Sequence, residues 1–397
     1  MTLSHSHVKL PKPGAAILIA APSGRALAAA ARRAGYRPLV ADFFDDLDTR
    51  SLAAASRLVA GDLEVGFESA ALLLALETLA EGTDPIGLVY GAGFEDRIGL
   101  LDELARRWTL FGNSAEVVQR VKNPLVLAAL CASLNIPHPE ISPSLPGDSE
   151  NWLVKSIGGS GGSHIAPAKH SQPGQQNAYF QRIAPGHPVS ILLLGNGADA
   201  QVLGPSRQWP TPTEDEPFRF GGSLRPAELS GDLEGRLTKL AETVACACRL
   251  RGLNSIDFLV EGDSFTLIEI NPRPGSTLDI FEDRDGLLFQ AHLDACCGQL
   301  PKSPLKFDGA AAAGIAYARR SIASMPAVDW PYWSSDRQKP QTALRRHDPL
   351  CTVKAHAAKA RRARMLMDHR TNLILDQLDQ LQTKQASWGR ELHLEQS

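Results

Sequence analysis

Between residues 15 and 113, short apolar runs alternate with segments in which apolar positions recur every three or four residues. The runs Ala15–Ala21, Arg37–Ala41, Ile86–Tyr90 and Thr109–Phe111 read as strands, and Arg25–Ala34, Glu68–Leu79 and Arg97–Arg107 as helices. Strands that are apolar at every position are buried on both faces, which is the condition of a parallel sheet sandwiched by helices. An α/β domain of Rossmann-like type is therefore predicted over residues 1–113.

Past this point the pattern changes. Residues 114–150 read as a helical connector that ends in the Pro-rich stretch 138–146, where helix and central strand are both interrupted. Trp152–Ile157 and Ala178–Ile183 read as two strands of a small antiparallel unit, joined by a glycine-rich loop. Further strands follow from about residue 188, with a helix at Gly231–Leu250, a hairpin turning at Gly262-Asp263 and a helix at Leu287–Cys296. Residues 302–397 differ again: turns at Trp330–Trp333 and Pro340, a strand at Leu350–Ala355 and an amphipathic helix at Arg361–Leu381. That helix packs either on its own core or on a partner chain. Three domains are expected: 1–113; 114–301, with a small lobe at about 150–185 and a large lobe at about 186–301; and a C-terminal, β-containing extension at 302–397 that ends in the helix.

The whole-chain composition changes this picture little. With 397 residues, 43% hydrophobic, 21% charged and a formal net charge of −3, the chain is of ordinary globular type. The charge balance gives no reason to expect nucleic acid as a partner. No run reaches the roughly 18–20 apolar residues that a membrane span needs, and the start of the chain lacks a secretion-signal pattern. Six cysteines in helix- and strand-like segments suit reduced thiols, so a cytoplasmic location is expected. The basic tract Lys359–Arg364 reads as a solvated helix face.

Chemistry concentrates around the hairpin. Asp257 lies in Ser-Ile-Asp-Phe-Leu-Val, and twelve residues later comes Ile-Glu269-Ile-Asn271-Pro-Arg273-Pro-Gly. The period of two places Glu269 and Asn271 on one strand face, and Asp257 faces them from the partner strand. Two carboxylates and an amide oxygen are hard donors, suited to Mg²⁺ or Mn²⁺ beside phosphates. Lys155 precedes the loop Gly158-Gly159-Ser160-Gly161-Gly162-Ser163, whose backbone N–H groups are placed to cradle phosphate oxygens. The loop is not a Walker A sequence; a strand–loop–strand arrangement covers phosphates from above instead. Lys122 is a second candidate phosphate cation, and Gln181-Arg182-Ile183 lies where a strand would pass an adenine, its backbone reading the purine edge. Arg273 is suited to clamp a phosphoryl group or a substrate carboxylate. The first strand-to-helix turn lacks the dinucleotide fingerprint, and Gly91-Ala-Gly93 is either a loop that approaches substrate or a plain tight turn.

Taken together, these residues over about 15–300 resemble the ATP-grasp superfamily, which includes D-alanine–D-alanine ligase, biotin carboxylase and carbamoyl phosphate synthetase. The chain also looks like a branch of predicted ATP-dependent carboligases, through Trp-Pro…Asp-Arg-x-x-Pro at 330–340 and Pro-Leu-Cys-Thr-Val at 349–353. The resemblance implies an N-terminal Rossmann-like domain, a two-lobed α+β ATP-binding domain and a C-terminal extension. It implies ATP and Mg²⁺ (or Mn²⁺) held by Asp257, Glu269 and Asn271, with Lys122 and Lys155 on the triphosphate. It implies activation of a small carboxylate as an acyl phosphate, attack by an amine, and release of ADP and phosphate, as in cofactor-type biosynthesis. Two positions depart from the D-alanine pattern: Gln181 stands where a glutamate is usual, and Ser255 replaces an arginine, and it is Ser255 that argues against D-alanine chemistry itself. Carboxylation or phosphotransfer on the same scaffold, and a non-catalytic ATP-binding sensor, are the competing readings. The expected partners are small molecules, and a homodimer is left open.

Overall fold

A computed structural model describes residues 11–63, 65–171, 177–283 and 285–394. The outer ends of the first and last predicted domains, 1–10 and 395–397, lie outside the described residues. The N-terminal part runs β1 (Ala16–Ala20), α1 (Arg25–Arg33), β2 (Arg37–Asp42), α2 (Leu47–Leu52), β3 (Ala55–Leu58), the small hairpin β4 (Gly61–Asp62) and β5 (Gly66–Phe67), α3 (Ser69–Ala80), β6 (Leu88–Tyr90), α4 (Ile98–Arg107) and β7 (Leu110–Phe111). Its parallel sheet has the order β3-β2-β1-β6-β7. Every residue of β1 and β6 is buried, as their apolar runs require. The order reverses between β1 and β6, so the loops after these two strands, Ala21–Gly24 and Gly91–Arg97, border a topological switch point of the kind where ligands bind.

The periodicity did not point to α2, β3 or the β4–β5 hairpin. α2 is only six residues long and starts on an Asp46 cap, whose carboxylate accepts from the N–H groups of Asp48 and Thr49. β3 is a partly exposed edge strand, so no apolar run marks it.

The connector consists of α5 (Ala115–Lys122) and α6 (Pro124–Ser133). Asn123 ends the first helix and caps the second, with Pro124 at its first position. The small lobe follows, with β8 (Ile141–Ser142), β9 (Trp152–Ser156), β10 (Ile165–Pro167) and β11 (Ala178–Arg182) in the order β10-β9-β11-β8. Here the expected connection is corrected. The glycine-rich loop leads from β9 into the three-residue β10, with Lys155 opposite Ile165, while β11 pairs along the other edge of β9. A strand as short as Ile-Ala-Pro carries no alternation to reveal it.

The large sheet is antiparallel throughout, formed from β12 (His187–Asn196), β13 (Ala200–Pro210), β14 (Phe220–Arg225), β15 (Arg251–Glu261), β16 (Ser264–Asn271), β17 (Ala310–Tyr317), β18 (Ser334–Ser335) and β19 (Pro349–Ala357), with the helices α7 (Gly231–Cys248), α8 (Leu287–Cys296) and α9 (Ala360–Leu394) between and after these strands. Its strand order is β16-β15-β12-β13-β14-β17-β19-β18. The strands after residue 301 thus extend the same sheet that carries the Asp257 hairpin. β17 (AAAAGIAY) was missed because alanine is a poor strand former; its small side chains instead let both faces of the strand be covered closely. One face of the large sheet packs on α7, through Val189, Ile191 and Ile256, and on α9, through Ala312 and Val353. The opposite face shares a core with α1, α8 and the first sheet, in which Leu192, Leu194, Ala311 and Ala313 join Ile17, Ile19 and Val40. α9 therefore packs on its own sheet. All six cysteines are free thiols, and burial pushes those of Cys131 and Cys248 up to about 11. Among the described residues, no helix is long and apolar enough to cross a membrane.

Candidate active site

The β15–β16 hairpin turns at Gly262, in left-handed conformation, and its register sets Asp257 directly opposite Glu269 and Ser255 opposite Asn271. A bulge between Asp257 and Phe258 absorbs one residue of β16, so that Leu267, not Ile268, faces Phe258. On the other side of β15, Ser190 of β12 lies opposite Asp257 and donates to its Oδ1 at 2.5 Å. Asn271 Nδ2 donates to Asp257 Oδ2 at 2.8 Å. Lys122, the last residue of α5, donates to Glu269 Oε1 and, at 3.2 Å, to Asn271 Oδ1. Arg273 reaches Asn271 Oδ1 at 3.2 Å with Nη2, while its Nε donates to Glu95 Oε1 at 2.8 Å. Five residues singled out from the sequence thus converge, brought from α5, two adjacent strands and the loop after them.

The electrostatics of this cluster are uneven. Burial pushes Asp257 up to about 6, reinforced by repulsion from Glu269 and only partly relieved by Ser190, Lys122 and Arg273. Burial pushes Glu269 in the same direction, but Lys122, His164 and Lys155 overcome it and hold that carboxyl at about 2. Glu95 is likewise held low, with Arg273 and Lys122 outweighing its burial. Lys155 on β9 is 6% exposed, and among the described residues its ammonium has no ion pair. Burial lowers its pKa, against the pull of Glu269 and Asp257. An unpaired ammonium in such a place is costly unless an anion joins it.

The loop after β9 is clasped from two sides. Gly158 (φ +78°) lies against the backbone of Glu95 and Asp96, where a Cβ would come within 2.8 Å of three atoms. Gly162 (φ +81°) lies against the Phe218 carbonyl, and Phe220 N–H donates to the Gly161 carbonyl at 2.9 Å. Gly159 abuts the His164 ring, whose Nδ1 is 3.2 Å from the Ser160 carbonyl. The loop thereby bridges the N-terminal switch-point loop and the start of β14, beside Lys155.

Gln181, Arg182 and Ile183 lie farther along the small lobe. The N–H groups of Arg182 and Ile183 are not free to read a purine, because they donate to the carbonyls of Glu140 and Asn151 at 2.9 Å each. The Arg182 guanidinium stacks on Trp152 and pairs with Glu140 and Asp148. Gln181 is buried, and Ile183 is exposed.

Sequence reasoning missed Glu95, Ser190 and His164. Glu95 had a signal, since it follows Gly91-Ala-Gly93 at the end of a buried strand; its carboxylate accepts from the N–H groups of Gly93 and Phe94. Ser190 and His164 become visible only through register and loop geometry. A second cluster was also missed: Arg25 at the start of α1 binds both Asp279 and Asp336, tying the first domain to the segment after Arg273 and to the C-terminal part.

The donor set fits a divalent hard cation. Asp257 and Glu269 are adjacent oxygen donors set opposite one another, and Asn271 is bonded to Asp257 beside them. Among the described residues, no three His, Cys, Asp or Glu side chains gather as a self-sufficient metal site. Two carboxylates and an amide match Mg²⁺, which typically takes one or two protein carboxylates and completes its shell with water and substrate phosphates.

Residues 125–277 match the family model of an ATP-grasp domain. Among solved structures, the biotin carboxylase domain dimer of Hydrogenobacter thermophilus 2-oxoglutarate carboxylase, in complex with MgADP and bicarbonate, superposes with a TM-score of 0.66 at 12% identity, covering 87% of this chain and 86% of that one. The N5-carboxyaminoimidazole synthetase of Staphylococcus aureus gives a TM-score of 0.62 at 14% identity, over 91% of this chain and 98% of that one. Pyruvate carboxylase from Rhizobium etli gives 0.66 at 16% identity; 90% of this chain is covered, but it spans only 37% of that much longer protein. No curated protein matches the chain in sequence.

Proposed function

Because this chain belongs to the ATP-grasp superfamily, we propose that it is an ATP-dependent ligase that activates a small carboxylate as an acyl phosphate for attack by an amine. The observation that carries this reading is a buried ammonium, Lys155, without an ion pair among the described residues, in the same cluster as two half-buried carboxylates set opposite one another, Asp257 and Glu269. A triphosphate with its cation complements both at once.

In this reading Lys155 and Lys122 orient the phosphates, and Asp257, Glu269 and Asn271 hold Mg²⁺ or Mn²⁺, which when bound neutralises charge developing on the transferred phosphoryl group. With a cation held by Glu269 and Asn271, Lys122, which donates to both, would be free to turn toward the phosphates. The loop Gly158–Ser163 covers the phosphates and keeps water from the acyl phosphate. Gln181 and its neighbours line the base through side chain and carbonyl groups. Arg273, its guanidinium held in orientation by Glu95, presents its remaining N–H groups to the substrate carboxylate. No side-chain nucleophile is needed, so catalysis rests on positioning and electrostatics.

A second reading takes bicarbonate as the acid, favoured by the likeness to carboxylases, one of them seen with MgADP and bicarbonate as a dimer. Phosphate release from MgATP separates the readings. Release that requires an organic acid together with an amine supports the ligase, and release with bicarbonate alone supports the carboxylase. A Lys155→Ala variant should bind MgATP at least about tenfold more weakly with its fold intact, the loss expected of one charge-assisted contact. Unchanged affinity would refute the phosphate role.

A further inference from the structure

The face of the large sheet opposite the candidate active site holds a cavity that the proposed reaction does not use. It has a volume of about 510 Å³, within the usual range of small-molecule pockets, and lies where the ends of β12 and β13 meet the first turns of α9. Arg207 lies across from Val189 and Leu224, both of which belong to the cores under α7 and α9, so its side chain is on this back face. Trp209 and Leu224 continue the floor, and Arg361, Arg364 and Met365 of α9 form the wall.

The charge is positive in excess. Arg364 stacks on Trp209 at 3.7 Å and pairs with Asp368. Arg207 and Arg361 are exposed, and among the described residues neither has an ion pair or hydrogen-bond partner. Glu228 is the single carboxylate in the wall, so three guanidinium groups face two acids, Glu228 and Asp368. His187, also in the wall, has its pKa lowered by burial and then by the nearby positive charge of Arg207. The basic tract read from the sequence as a solvated helix face thus supplies two arginines to the wall of an open cavity beside apolar surface.

We propose that this cavity is a second binding site, for a small organic anion whose carboxylate or phosphate lies between Arg207 and Arg361 and whose apolar body rests on Leu224 and Met365. Unpaired guanidinium groups provide forked donors for such a head group, and the apolar floor favours a ligand with a hydrocarbon or aromatic body over an inorganic ion. The site lies behind the sheet and is separate from the phosphate-binding residues.

The test uses the full chain and 1-anilinonaphthalene-8-sulfonate, a probe with an anionic head and an apolar body, followed by fluorescence titration. Saturable binding is expected, unaffected by saturating MgATP and weakened at least about tenfold in Arg207→Ala/Arg361→Ala. The corresponding double lysine variant should restore part of the affinity, which separates loss of charge from loss of fold. Benzoate and inorganic phosphate then identify the head group by which of them displaces the probe. Absence of saturable binding, equal binding by the alanine variant, displacement by MgATP, or displacement by neither anion would each overturn the proposal.

Discussion

His292 joins three elements through one imidazole, and its protonation should set a measurable part of the pH dependence of stability. The ring lies on α8 with no exposed surface. Its Nδ1 accepts from the Leu253 N–H of β15 at 2.8 Å, so the proton is on Nε2, which donates to the Phe111 carbonyl of β7 at 3.1 Å. Gly252 (φ +67°) must pass directly beneath the ring, since a Cβ there would fall 2.5 Å from Nδ1. A second proton would convert Nδ1 from acceptor to donor and set it against the Leu253 N–H. Burial accordingly lowers the pKa from 6.5 to about 4, with the Phe111 carbonyl opposing weakly. The folded-state value is depressed, so between these two values the unfolded chain binds a proton that the native chain does not. The His292 contribution is therefore complete above about pH 6.5 and is lost progressively down to about pH 4, amounting in full to about 3 kcal/mol. Urea unfolding at about pH 7.5 and about pH 5 should show wild type losing about 2 kcal/mol more than His292→Gln, whose amide keeps a donor and an acceptor without titrating. The difference between the two proteins removes the contributions of the other histidines. Equal losses in both, or a ring that titrates near 6.5 by NMR, would refute the reasoning.

Glu269→Gln keeps the shape of the pair but removes the charge opposite Asp257, and should abolish phosphate release while nucleotide binding and circular dichroism persist; retained turnover would remove Glu269 from the cation site. Arg25→Ala leaves the buried Asp279 and the half-buried Asp336 without their shared cation, and should cost about 3 kcal/mol, read as a large fall in the unfolding midpoint. Gly158→Ala forces a Cβ against the Glu95–Asp96 backbone at a positive φ, so the loop must withdraw. The expected result is a fall in kcat with little change in melting temperature, and wild-type kinetics would show that the loop does not need this contact.

Much of the site could be read along the chain because its parts are local. Glu269 and Asn271 share a strand face by the period of two, and a tight turn returns that strand to Asp257, so three ligand-type residues are placed by about fifteen residues of sequence. The first sheet was legible for a similar reason, since strands buried on both faces must be apolar throughout. The missed elements carry no such mark: α2 is held by a cap, β3 is half exposed, and β17 is a strand of alanines that only its neighbours make extended.

What depends on residues far apart in sequence belonged to the tertiary structure alone. The pairing of Arg273 with Glu95, the seating of Lys122 on Glu269, and the grip of Arg25 on Asp279 and Asp336 join residues 147 to 311 positions apart. No periodicity encodes such partners, because a buried charge requires a counter-charge somewhere in space and leaves its position along the chain unspecified. Residue types and local spacing determined which groups could do chemistry; the packing of two sheets through α1 and α8 decided which of them meet.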